Sequence, residues 1–175
     1  MNNLFQAYFT QYISKKLFLL LLLLSLIVFL VLLLIAFLVG RNSIHAAIME
    51  DDINGVVAIL NHDVRTLERR DRIDLTPLNL AVKYDKLSIA TLLIQRGANV
   101  NAKWNLSSSG DGNWTTLHIA AVNGNAEMGL LLIQSGAEIN SLTSKGETPL
   151  DVAIRNNSRD FAKLLMDHNG VKGAK

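Results

Sequence analysis

The stretch from Trp114 to Asn140, W-T-T-L-H-I-A-A-V-N-G-N-A-E-M-G-L-L-L-I-Q-S-G-A-E-I-N, sets the pattern for most of the chain. Thr115-Thr116-Leu117-His118 lines up with Thr148-Pro149-Leu150-Asp151, thirty-three residues on. It lines up with Thr76-Pro77-Leu78-Asn79 thirty-nine residues back, and Asn42-Ser43-Ile44-His45 lies thirty-four residues before that. Downstream in each later copy comes an apolar run that ends in a turn: Leu92-Leu93-Ile94-Gln95-Arg96-Gly97-Ala98, Leu131-Leu132-Ile133-Gln134-Ser135-Gly136-Ala137, and the blurred Leu164-Leu165-Met166-Asp167-His168-Asn169-Gly170. Self-similarity at a period of this size is the signature of a stacked repeat protein.

Each part of the copy has a physical task. A Thr before Pro suits a helix start, because the hydroxyl accepts an orphan backbone N–H and Pro tolerates the first helical position. Gly97 and Gly136 suit left-handed helix ends. Between these signals each copy has room for two short helices, with turns at Asp85-Lys86 and Gly124-Asn125. Leu117, Ala120 and Ala121 fall on one face of the first helix, and Met128, Leu131 and Leu132 on one face of the second. Neither helix can bury its face alone, so neighbouring copies must stack.

The T-P-L-H-x-A-A-x-x-G and G-A-x-x-N patterns at this period resemble the ankyrin repeat over residues 42–172. The resemblance implies an all-α solenoid of four repeats, at about 42–70, 71–103, 104–140 and 141–172, joined by β-hairpin-like loops. Departures are Thr116 for Pro, Asn79 and Asp151 for His, and Asp85 and Asn157 where a turn Gly is usual. The resemblance also implies a protein-binding role in place of catalysis.

Ahead of the repeats, Leu17 to Val39 contains one polar side chain, Ser25. As a helix those residues would span about 34 Å, enough for a hydrocarbon core of about 30 Å. A cleaved signal peptide would have an apolar core of about 7–15 residues and a small-residue cleavage site. Phe37-Leu38-Val39-Gly40-Arg41 offers no such site, so residues 17–39 read as an uncleaved transmembrane anchor. Residues 1–16 carry Leu4, Phe5, Tyr8, Phe9, Tyr12 and Ile13 at helical spacing, as an interfacial segment would. Lys15 and Lys16 precede the anchor, while Glu50, Asp51 and Asp52 follow it. The positive-inside rule then places the N-terminus in the cytoplasm and the repeats outside it, in a periplasm if the cell is bacterial.

The formal net charge of +2 comes from Lys15 and Lys16, because the residues from Arg41 onward balance fifteen basic against fifteen acidic side chains. Nucleic-acid binding wants a basic stripe. The one cluster, Arg65, Arg69, Arg70 and Arg72, is interleaved with Glu68, Asp71 and Asp74 and reads as a self-paired loop. There is no cysteine. His45 and His118 hold the repeat's own His position, and His62 and His168 lie apart from them, so no metal site, cofactor site or small-molecule substrate is expected. Gly110-Asp111-Gly112 lacks the Lys and following helix of a phosphate loop. Arg155, Arg159, Asp160 and Lys163 read as a polar C-terminal cap, and residues 171–175 as a disordered tail.

The interval from Thr76 to Thr115 exceeds the repeat period by six residues, and the surplus falls in Lys103 to Trp114. Both tryptophans are there. Insertions in repeat arrays map to loops on one face, often the binding face. Trp104, Asn105, Leu106, Asp111 and Trp114 are therefore the candidate partner-binding residues, against the alternative that the two rings merely brace a long hairpin. The implied function is a membrane-anchored docking module for another protein, such as an adaptor or an immunity protein; the alternative is an accessory subunit held in a larger complex by its membrane helix.

The orientation is testable. Moving Lys15 and Lys16 to just after Gly40 is expected to invert the chain in the membrane. A single introduced cysteine in the repeats should react with an impermeant thiol reagent in spheroplasts before that change and not after it.

Overall fold

Short polar side chains start the helices of this chain. In the computed structural model, which describes residues 16–17, 19–33, 43–106 and 111–173, the Ser43 hydroxyl accepts from Ala46 N at 3.1 Å and opens α1, Ile44–Met49. The Asp52 carboxylate accepts from Gly55 N at 2.9 Å and opens α2, Ile53–His62. Thr76 caps α3, Pro77–Lys83, through Asn79 N at 3.2 Å, with Pro77 at the first turn. Then come α4, Leu87–Gln95; the strands β1, Trp104–Leu106, and β2, Asp111–Trp114; α5, Thr116–Asn123; and α6, Ala126–Gln134, capped by Asn125. The last pair is α7, Pro149–Arg155, and α8, Arg159–Asp167. Satisfying the first orphan N–H groups matters here because helices of six to ten residues have little propensity to spare.

The pairs α1–α2, α3–α4, α5–α6 and α7–α8 are the four repeats, and residues 42–175 form one compact unit. First helices stack on first helices, α1 on α3, α3 on α5 and α5 on α7. Core positions recur with the period. Ile44, Leu78, Leu117 and Leu150 are at most 4% exposed, and so are Ala47, Ala81, Ala120 and Ala153 beside them. On the second helices Val56, Ile89, Met128 and Phe161 form one buried column, and Leu60, Leu93, Leu132 and Leu165 another. The alanine column is what lets first helices approach closely. Gly129 does the same for second helices, since a Cβ there would lie 2.5 Å from the Phe161 ring.

The turn within each repeat needs a left-handed residue at one fixed place. Asp51, Asp85, Gly124 and Asn157 fill it with φ of 59°, 56°, 71° and 58°. Asp85 and Asn157 thus take the conformation of the glycine they replace, at a cost Asp and Asn bear better than most side chains. The expected helix ends at Gly97 and Gly136 are left-handed, with φ of 90° and 89°.

Polar clasps join successive repeats. Asn101 donates from Nδ2 to Gly136 O at 3.0 Å and accepts from Glu138 N at 2.9 Å. Asn140 repeats this one interface later, donating to Asn169 O at 3.1 Å and accepting from Val171 N at 2.8 Å. His118 accepts at Nδ1 from Thr115 N at 3.2 Å, which leaves Nε2 as the donor to Glu147 O at 3.1 Å. Asp151, in the same slot, accepts from Thr148 N at 2.9 Å and from Gly173 N at 2.8 Å. Burial alone would push its carboxyl up; the bonds from Thr148 and Gly173, with Lys172 nearby, outweigh that and hold it below the usual carboxylate value. Asn79 occupies the same slot in the second repeat, and both its amide atoms are buried without a partner.

Three expectations change. Residues 171–173 are tied to the last repeat, with the Thr148 hydroxyl also donating to Val171 O at 2.8 Å; residues 174–175 lie outside the described part. The outer face of the last repeat is polar only in part, since Ile154 and Met166 are exposed there. Among the described residues no helix is long and apolar enough to cross a membrane. The expected span, 17–39, includes residue 18 and residues 34–39, which lie outside the described ones, as do residues 1–15. Residues 19–33 are helical, and their large apolar side chains are exposed.

Leu131 and Leu132 fall on adjacent rows of α6, but only Leu132 is in the interior, at 0% exposure; Leu131 packs at its edge. Leu132→Ala is expected to cost about 2–5 kcal/mol in urea unfolding, and Leu131→Ala less than half as much. Equal losses would mean that the helix is rotated from this register.

Candidate partner-binding face

Three turns project from the same edge of the stack. The first, residues 71–75, is shaped by the Asp71 carboxylate, which accepts from Ile73 N and Leu75 N, both at 2.9 Å. The third, residues 143–147, uses the Thr143 hydroxyl in the same way, accepting from Lys145 N at 3.3 Å and Glu147 N at 3.2 Å. The second is the insertion, an antiparallel hairpin in which Trp104 faces Trp114 and Leu106 faces Asp111. Three residues of β1 oppose four of β2, and a bulge absorbs the difference. Asn113 sits in it with φ 63°, and its N–H donates to the Asn105 side chain at 3.1 Å.

The hairpin is fastened on both sides. Trp104 Nε1 donates to Ile73 O in the first turn at 2.7 Å. Arg70 reaches Lys103 O at 2.9 Å and pairs with Asp74 at 3.1 Å. On the other side Gly112 N donates to the Ser144 hydroxyl at 2.7 Å and Ser144 N to Gly112 O at 2.8 Å. The finger therefore continues the stack in the described part of its two strands. Arg65 pairs with Asp63 at 2.9 Å, so two of the four arginines in the basic cluster are matched locally.

The five expected site residues separate. Trp114 is 8% exposed; its ring lies 5.8 Å from the His118 ring and joins the core. An indole so placed braces the hairpin and has little surface to offer a partner. Trp104 is half-buried, its N–H is used by Ile73, and the Lys83 ammonium lies 5.1 Å from its ring centre. Asn105 is exposed, with its side-chain oxygen holding the bulge. Leu106 and Asp111 are paired in backbone register at the far end of the strands.

Residues beyond the hairpin complete the face. Met49, Lys83, Val122 and Arg155 occupy one slot at the end of the four first helices. Met49 and Val122 are 51% and 44% exposed, and Tyr84 next to Lys83 is 46% exposed. Arg155 pairs with Glu147. In the sequence these residues form a column whose character changes from copy to copy, after an apolar column of Ile48, Val82, Ala121 and Ile154. His45, in the His slot of the first repeat, is pushed below its ordinary value by burial, partly opposed by Asp71. Among the described residues no group of acidic or His side chains could hold a metal ion.

Four stacked helix pairs with turns projecting from one edge define the class, and the sequence comparisons agree. Residues 102–175 match the family described as ankyrin repeats in three copies, and residues 74–105 match a single ankyrin repeat. The chain belongs to the ankyrin-repeat family. The pair α1–α2 lies ahead of the matched residues and is assigned by its stacking. Rabankyrin-5 of Mus musculus is 33% identical over 103 residues, 55% of this chain and 9% of that protein. SMC5-SMC6 complex localization factor protein 1 of Bos taurus is 30% identical over 119 residues, 67% of this chain and 11% of the relative. The nuclear factor NF-kappa-B p105 subunit of Gallus gallus is 30% identical over 128 residues, covering 71% and 12%. The chain thus spans about a tenth of the length of these relatives.

The two tryptophans are expected to separate by stability. Trp114→Ala should cost about 3–5 kcal/mol in denaturant unfolding, because it opens a cavity beside His118. Trp104→Ala should cost clearly less, as a half-buried ring with one hydrogen bond. The reverse order would place Trp104, not Trp114, in the core.

Proposed function

We propose that this chain is a non-enzymatic docking module whose repeats hold a partner protein against the hairpin and the helix ends beside it. Ankyrin repeats suggest such a module at the level of the family. The observation that carries the particular reading is the hairpin. It departs from the period, is fastened to the turns on both sides, and lies beside Lys83, whose ammonium sits between Trp104 and the exposed Tyr84. A prefastened finger loses little conformational freedom when it binds, which favours affinity.

We also propose that residues 17–39 anchor the module in a membrane with the repeats outside the cytoplasm. Support comes from the apolar run, the exposed apolar side chains of helical residues 19–33, and Lys15-Lys16 on the N-terminal side. An anchored adaptor or a protein that neutralises a toxic partner would have this layout. The runner-up is an accessory subunit held in a membrane complex by its helix; Ser25 is the only polar side chain there to specify helix contacts.

Cross-linking and affinity capture from the native membrane test the reading. The chain without residues 1–40 should leave the membrane fraction after an alkaline wash yet keep its partner, and removal of residues 106–111 should abolish capture. A partner that is lost with residues 1–40 and kept without the hairpin would favour the accessory-subunit reading.

A further inference from the structure

The strip beside the hairpin holds a cation set between two aromatic rings. Three surface cations near the face have a carboxylate: Arg70 has Asp74, Lys86 has Asp51 at 2.9 Å, and Arg155 has Glu147. Lys83 has no carboxylate within ion-pair distance among the described residues. Its half-buried side chain instead runs between two rings, with the ammonium 5.1 Å from the centre of Trp104 and 6.0 Å from that of Tyr84. Ring faces attract an ammonium but leave its three N–H donors without strong acceptors.

The walls of this place are fixed. Trp104 is held through Nε1 on Ile73 O at 2.7 Å. The end of α3 is held by Asn123, whose amide donates to Val82 O at 2.8 Å and Lys83 O at 3.2 Å. Apolar surface lies to either side: Ile73 is 52% exposed, Tyr84 46% and Val122 44%. A partly desolvated positive charge in a rigid apolar frame selects a negative group and rejects a cation, because the low dielectric strengthens both effects.

We propose that Lys83, walled by Trp104 and Tyr84, receives a carboxylate of an acidic segment of the partner protein, an Asp or Glu set between apolar residues that cover Ile73 and Val122. This rests on the docking reading above and adds the chemistry of what docks. A single ammonium suits a carboxylate, whereas a phosphorylated segment would be matched better by an arginine fork. Nucleic acid is disfavoured because a phosphate backbone wants a run of cations, and the neighbouring Arg70 and Arg155 are already paired with Asp74 and Glu147.

The test uses the full-length chain in detergent and a random peptide display library as the probe. Selected peptides are expected to carry Asp or Glu next to aliphatic or aromatic residues. Lys83→Met, which keeps the length of the side chain and removes the charge, should weaken the selected peptides about tenfold and flatten the salt dependence of binding, with the unfolding midpoint unchanged. Exchanging the acidic residue of a selected peptide for its amide should weaken binding to the parent chain and leave binding to Lys83→Met unchanged. Selected peptides that are neutral or basic, or acidic ones that bind Lys83→Met as well as the parent, overturn the inference. In either case the docking reading survives if those peptides are lost on removal of residues 106–111. A library that yields no binder also overturns the inference, and the docking reading is then judged by capture from the membrane alone.

Discussion

A pair of helices of six to ten residues cannot bury an apolar face by itself, and everything else in this domain follows from that constraint. The face is completed only by the next repeat. Leu60, Leu93, Leu132 and Leu165 lie in one column because each needs the neighbouring copy to keep water away. Alanine and glycine at Ala81, Ala120 and Gly129 set how close the copies come, and the left-handed turn residues set the angle at which each second helix returns. Stability in such a stack is a sum over neighbours, so a defect at one interface is felt there first.

The polar contacts act on the same interfaces in a different way. Asn101 and Asn140 satisfy backbone groups of the next turn, and His118 spans from the start of its own helix to Glu147 O. Each fixes register more than it adds energy, because a typical hydrogen bond contributes about 1 kcal/mol net. Asn79, in the same slot of the second repeat, leaves two buried polar atoms without partners, just before the long hairpin. The hairpin makes connection at that junction by other means, through Trp104 to Ile73, and ties on to the last repeat through Gly112 to Ser144. A functional finger and a structural bridge are thus the same element.

The period made the stack legible, since Thr76, Thr115 and Thr148 announce their helices and Gly97 and Gly136 their ends. The position of the insertion was legible from spacing alone. The roles of the two tryptophans were not. An indole beside a polar Gly-rich loop reads the same whether it points inward or outward, and what settles Trp114 is its burial against the His118 ring at the start of the following helix. Leu131 and Leu132 differ by one step on a helix face, too fine for a pattern to separate. The ordered stretch at 171–173 depends on Asn140 and Asp151 reaching across about thirty and twenty residues, contacts with no local signal. Lys83, Tyr84 and Val122 looked like ordinary surface positions, and only their nearness to Trp104 groups Lys83 and Tyr84 with the hairpin.

The long hairpin is built into the stack and so presents a preformed surface. Amide hydrogen exchange on the full-length chain measures this directly. The amides of Gly112, Asn113 and Ser144, each bonded in the described structure, are expected to be protected to within about tenfold of those in α5, because those of Gly112 and Ser144 open only when the neighbouring repeats part and that of Asn113 only when the hairpin bulge opens. Exchange of these three amides at the rate of an unstructured peptide, while α5 stays protected, would show a free loop and contradict the account.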